Sequence, residues 1–241
     1  MRKSLSILAI LFFYTSSVFA QDAASANSNS AGEVTKPSRD FLVVQLGYNN
    51  WLNKPDSVKT KPIGYVFNAF LCYDFPIKKS NFSFAAGLGI NVNVVYLDQQ
   101  RLVFNDTSAA NGYRARVLPD TGGAYNYKRY KFVTSYITAP FELRYFSNMH
   151  NRNKGFKASI GMEVGLFVGA HTKGVASVGG VNVKDKVDTK RYMSTWSFAP
   201  TARIGFGNFA LFMTYNLTNV FIQNEGPPVT PYSIGLCVTG L

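Results

Sequence analysis

The chain has 241 residues, 46% of them hydrophobic and 16% charged, with 25 Lys and Arg against 13 Asp and Glu for a formal charge of +12. This length fits one domain, and after the N-terminal segment no 18 apolar residues run together, which excludes a transmembrane helix. The positive balance points either to an anionic partner or to loops that charge keeps solvated.

At the N-terminus, Arg2 and Lys3 precede an apolar run from Leu5 to Phe13, and Val18, Phe19 and Ala20 come before Gln21. This is the pattern of a secretory signal over residues 1–20, with no Cys at the cleavage position to suggest a lipid anchor. Behind such a signal, nucleic acid is a poor partner and phosphorylated lipid head groups a better one. Residues 21–40 are rich in Ala, Ser and Asn and cannot bury a core, so a disordered periplasmic leader is expected there.

From Phe41 onward the period is two. The first strand runs from Phe41 to Leu52, and a polar loop over 53–62 leads to a second from Ile63 to Phe75. A turn over 76–81 precedes a third strand from Phe82 to Tyr96. A loop of 32 residues, Asp98 to Arg129, leads to a fourth strand from Phe132 to Phe146, in which Pro140 predicts a bulge or a missing ladder bond. The fifth, Phe156 to Thr172, is the clearest: Phe156, Ala158, Ile160, Met162, Val164, Leu166, Val168 and Ala170 alternate with glycines, Ser159 and isolated charges. Its length exceeds the roughly 5 to 6 residues usual in soluble sheets and suffices for the roughly 9 to 11 needed to cross a bilayer at a tilt. A loop over 173–191, a sixth strand from Tyr192 to Phe206, a turn at Gly207 and Asn208, a seventh strand from Phe209 to Leu217 and an eighth from Tyr232 to Val238 complete the chain.

Short and long connections alternate, and eight strands are an even number. Both features predict an all-β fold, a closed eight-stranded antiparallel transmembrane β-barrel over 41–241, with short periplasmic turns and long extracellular loops. Its expected place is the bacterial outer membrane, as a monomer. Parity alone leaves one inversion open, a soluble lipocalin-like periplasmic carrier with an apolar interior.

By the same parity Cys72 and Cys237 point inward, one strand apart, too far for a disulfide, so two free buried thiols are expected. The lumen receives Glu142, Arg144, Lys157, Glu163 and Arg203, with Glu142 and Lys157 in diagonal reach; a charge network plugging the lower lumen is expected, a gated ion path being the alternative. Catalysis is not expected. A lipid A deacylase needs a His beside a Ser at the membrane edge, whereas His150 falls in a periplasmic turn and His171 points inward without a suitable Ser. No metal-ligand, paired-carboxylate or phosphate-loop pattern occurs, and no cofactor is expected.

The outer loops are the expected working surface. Arg114, Arg116, Lys128 and Arg129 lie among Tyr113, Tyr125 and Tyr127, and Lys184 and Lys186 follow in the next loop with Lys173 and Lys190. Interleaved this way they suit lipopolysaccharide phosphates or a protein partner, or form a solvated rim.

The run from Tyr136 through Thr138, Ala139, Pro140, Phe141 and Glu142 to Tyr145, with Gly161 to Gly165, Pro231 to Leu236 and Gly87 to Ile90, resembles the PorT-type outer-membrane β-barrel family common in Bacteroidota. The resemblance covers Phe41 to the C-terminus, although Leu241 falls off the parity of Tyr232 to Val238, where such barrels end on an aromatic residue in register. It implies the fold and the outer-membrane location. One branch serves a protein-secretion machine, which makes a secretion component the alternative to a structural or surface-binding barrel.

Overall fold

The computed structural model describes residues 41–77, 80–105, 112–120, 127–148, 154–178 and 181–239. The secretory signal, the leader, His150 and Leu241 lie outside the described residues. Eleven strands follow one another: β1 (Leu42–Leu52), β2 (Tyr65–Pro76), β3 (Phe82–Leu97), β4 (Gln100–Phe104), β5 (Ala115–Pro119), β6 (Tyr127–Phe146), β7 (Phe156–Val178), β8 (Val181–Thr189), β9 (Trp196–Phe206), β10 (Phe209–Tyr215) and β11 (Thr230–Thr239). Eight of them close a ring of antiparallel pairs, β1-β2-β3-β6-β7-β9-β10-β11, with β11 paired back onto β1 from Val43↔Thr239 to Leu52↔Thr230. β4 and β5 form a separate hairpin, and β8 pairs with the upper part of β7.

The alternation sorts the two sides of this wall. Leu46, Leu88 and Leu236 are 61%, 60% and 62% exposed on the outside, whereas Gln45, Asn49 and Asn68 are at most 1% exposed inside. The exterior is apolar and exposed, where a soluble lipocalin is polar, and the interior holds buried carboxamides and charges beside apolar clusters; the soluble-carrier alternative falls on the apolar exterior. Along β7 the outward apolar residues run from Phe156 to Val168, which at a tilt of about 40° spans roughly 30 Å, the thickness of a bilayer's hydrocarbon core. Aromatic rings mark the edge of this belt at the short-turn end: Phe82 and Tyr145 lie 5.3 Å apart, and Tyr145 lies 6.4 Å from Phe156.

The tightest connection joins β9 to β10. Phe206 pairs with Phe209, leaving only Gly207 and Asn208 for the turn, and Gly207 sits at φ 62°, in the left-handed region. A Cβ is strained there by about 1 to 2 kcal/mol. Gly207→Val is therefore expected to lower stability by about that amount, read as a lower urea midpoint for the folded band on a gel; an unchanged midpoint would contradict the turn geometry.

Two expectations need correction, the unstructured long loops and the inward His171, and a third, at Pro140, is narrowed. The loops over 98–129 and 173–191 carry structure: the β4–β5 hairpin, the start of β6 at Tyr127, and a β7–β8 hairpin that continues the wall beyond the apolar belt. These segments leave the lipid, so both faces are polar enough to blur the period of two. The bulge is also elsewhere. Ser135 pairs with Gly169 but Tyr136 with Phe167, so Val168 is an extra residue on β7. Pro140 itself keeps register with Glu163, while the ladder to β3 is interrupted between the pairs Ala86↔Phe141 and Gly89↔Thr138, the missing-bond outcome rather than a bulge. Above Val168 the bulge reverses the sides: Ala170 is buried in the inner apolar cluster and His171 faces outward.

Candidate functional site

The lower lumen is built from two neighbouring rows of cross-strand partners. One row reads Asp74, Ala85, Glu142, Gly161 and Thr201; the next, toward the short turns, reads Ser83, Arg144, Ser159 and Arg203. Small residues alternate with long ones, so each charged side chain lies across a neighbour that leaves it room. Gly161 shows the tolerance: a Cβ there would run into the Phe141 carbonyl oxygen and sit 2.9 Å from Glu142 Cγ.

Within these rows the guanidiniums converge on carboxylates. Arg144 donates from Nε to Glu142 Oε2 at 2.8 Å and from Nη1 to Asp74 Oδ1 at 2.9 Å. Arg203 Nη2 donates to the same Glu142 oxygen, its Nε to Ser159 Oγ at 3.2 Å, and its Nη1 to Cys237 Sγ at 3.5 Å. All of these side chains are buried, and Cys72 and Cys237 are both free thiols. Lys157 does not join Glu142 as its spacing suggested. The register sets it opposite Phe146 and Gly205, and its ammonium donates to Thr239 Oγ1 at 2.6 Å. Asp74, the second carboxylate of the cluster, was missed; its inward parity, two residues beyond Cys72, was the available signal. Glu163 stands one row above Glu142, opposite Pro140 and Ala199, and its Oε1 has no hydrogen-bond partner among the described residues.

Higher in the lumen, carboxamides link three strands. Asn68 donates to Gln45 at 2.7 Å, Asn91 to Asn68 at 2.7 Å, and Asn93 to Asn91. Over this chain lies an apolar lid in which Trp51, Phe132 and Phe221 meet with centroids 6.0 to 6.5 Å apart, joined by Leu97, Val220 and Val229. The β4–β5 hairpin contributes Leu102 and Ala115, and Tyr130 donates its hydroxyl to the Leu102 carbonyl at 3.1 Å. The lumen is thus filled at three heights by three chemistries.

The loop residues do not form one patch. Arg114 and Arg116 belong to the β4–β5 side, where Arg114 N–H donates to the Glu225 carbonyl at 3.0 Å. Lys128 sits at a register irregularity of β6, between Tyr127 and Arg129, while Lys184 and Lys186 are on β8. Arg129 and Lys184 share one cross-strand row, on either side of Val175.

His171, turned outward by the bulge, shares a shallow pocket with Ser135, Gly169, Asp188 and Lys190, so a Ser does lie on its side of the wall. No hydrogen bond joins Ser135, His171 and Asp188 among the described residues, and Asp188 pairs instead with Lys186 at 3.0 Å. Burial, and the ammonium of Lys186 nearby, hold the imidazole below the usual histidine range.

The family model described as outer membrane protein beta-barrel domain matches residues 19–221. The chain belongs to this family. Among solved structures, the attachment invasion locus protein Ail of Yersinia pestis aligns with it at 11% identity and a TM-score of 0.36, covering 84% of this chain and 99% of that one. No curated protein sequence matches the chain. For an outer membrane β-barrel the short turns face the periplasm and the long connections the exterior. The ionic rows therefore lie at the periplasmic end, the apolar lid at the outer end, and the β7–β8 hairpin projects from the cell surface.

Proposed function

We propose that this outer membrane β-barrel has a structural and surface-binding role without catalysis, and that its extracellular basic residues contact lipopolysaccharide. The observation that carries the reading is the pairing of a plugged lumen with a projecting sheet. The buried guanidiniums are engaged by Asp74 and Glu142, so the described side chains fill the lower lumen, while the cations outside stand on strands. The test has two parts. Unheated and boiled samples of the outer-membrane fraction are expected to differ in gel mobility, and the extracted barrel is expected to retain lipopolysaccharide in preference to neutral phospholipid. A barrel that retains neither over the other would refute the binding role, and release of acyl chains from lipid A, abolished by Ser135→Ala, would refute its non-catalytic character.

One observation favours a second reading, a component of a PorT-like secretion machine. β8 pairs with β7 only, so among the described residues its other edge keeps free backbone donors and acceptors, which suit an added strand from a protein partner. Stable co-purification of envelope proteins through mild detergent, lost when Val181–Thr189 is shortened, is the result expected of that reading.

A further inference from the structure

The cations of the projecting sheet are sorted by face. Register places Lys131 on β6 opposite Lys173 on β7, and Lys173 opposite Lys186 on β8, a row of three like charges across three neighbouring strands. One row farther from the membrane, Arg129 and Lys184 flank Val175 on the same face; one row nearer, Val133, His171 and Asp188 follow. Nearest the belt, Lys190 lays its stem over Gly169, its Cε 3.9 Å from where a glycine Cβ would stand. Among the described residues, six cations thus share one face with a single carboxylate, Asp188, which pairs with Lys186. Lys131, Lys173 and Lys190 have no ion-pair partner among the described residues. The opposite face differs in kind. Asp185 accepts from the Tyr127 hydroxyl at 3.0 Å, and the Tyr127 ring packs on Gly174 and on Tyr130 of the lid.

This cationic face is the one that continues the lipid-facing wall. Val168 is the exposed apolar residue at the top of the belt on β7, and the lysine row at Lys173 stands about 10 to 15 Å beyond it along a tilted strand. That height corresponds to the head groups and inner saccharides of the outer leaflet. Like charges directly opposite each other on a sheet are destabilising, and Asp188 answers only Lys186, so Lys131 and Lys173 call for a counter-charge that the described residues do not supply. We propose that the Lys131–Lys173–Lys186 row, with Lys190 beneath it, is the seat of the phosphate groups of a lipid A-type phosphorylated saccharide in the surrounding leaflet. This deepens the lipopolysaccharide-binding reading and rests on it, moving the contact from the loop tips to the outer wall.

The test uses the full chain extracted from outer membranes and reconstituted into phospholipid vesicles containing bisphosphorylated, monophosphorylated or dephosphorylated lipid A. The urea midpoint and the lipid A retained after detergent washing are read together. With the native chain both are expected to rise with each phosphate. K131Q/K173Q/K186Q is expected to lose about a hundredfold in retention of the bisphosphorylated form and to lose the phosphate-dependent rise in midpoint. In vesicles holding dephosphorylated lipid A the same variant is expected to be at least as stable as the native chain, because the repulsion is gone, which separates a lost ligand from a lost fold. R114Q/R116Q is expected to keep both effects. If the lysine variant keeps them and R114Q/R116Q loses them, the row is not the seat, although the lipopolysaccharide reading stands. If the native chain itself does not respond to lipid A, both fall. A matching rise when inorganic phosphate is added to vesicles holding dephosphorylated lipid A would overturn the lipid assignment in favour of a soluble anion.

Discussion

Glu142→Gln is expected to be the most destabilising single substitution in the lower lumen, costing about 3 to 5 kcal/mol. Glu142 is 3% exposed and accepts from both Arg144 and Arg203 through one oxygen, so its loss leaves two buried guanidiniums facing each other with Asp74 as the remaining carboxylate. The magnitude comes from those stranded charges rather than from the strength of the lost pairs, because removing one member of a buried network exposes the desolvation cost of the rest. Two further outcomes follow from that cause. Glu142→Gln combined with Arg203→Gln is expected to cost less than the sum of the single changes. The effect is also expected to persist at high salt, since buried pairs are poorly screened. Equilibrium unfolding of the reconstituted barrel in urea measures all three, and a midpoint for Glu142→Gln within error of the native one would show that the two rows do not depend on this carboxylate.

Trp51→Ala is expected to cost a similar amount, about 3 to 5 kcal/mol, for a different reason. Trp51 is buried at the centre of the lid, edge-on to Phe132 and Phe221, so truncation leaves a cavity that a ring of strands held by their own ladders cannot collapse to fill. Its effect on transport should nevertheless be small. The carboxamide chain from Gln45 to Asn93 and the ionic rows remain below it, so in planar bilayers neither the native chain nor Trp51→Ala is expected to show steady conductance. A stable open channel in the native chain would favour the gated-path alternative, and one appearing only in Trp51→Ala would make the lid the sole barrier.

What could be read from the sequence was whatever the bilayer imposes. Phe82 to Tyr96 and Phe156 to Val168 must show lipid one side chain in two, and that contrast is visible without coordinates. Beyond the lipid the contrast disappears, which is why β8, with Val181, Val183 and Val187 among lysines and aspartates, passed for loop. Register was the second limit. One extra residue at Val168 moved His171 from the lumen to the outer wall, and the pairing of Glu142 with Arg203, 61 residues apart, depended on turn lengths and ladder offsets that no local pattern encodes. Asp74 was hidden by its setting, a lone acid between Tyr73 and Phe75 in a strand whose aromatic face dominates the signal. Lys131 falls between the loop read to Arg129 and the strand read from Phe132, and β6 in fact starts at Tyr127, so the row it completes emerges only when three strands are laid side by side.

The closing pair of the ring sets a timetable. β1 lies between β2 and β11, and its partners in β11 are almost the whole chain away, Val43 meeting Thr239. During synthesis β1 to β3 can pair early, but β1 keeps one bare edge until the last strand has crossed the inner membrane. Native contacts so distant in sequence form slowly. Until β11 arrives, the wall keeps an open seam beside its apolar flank, the kind of bare edge on which a second chain can pair.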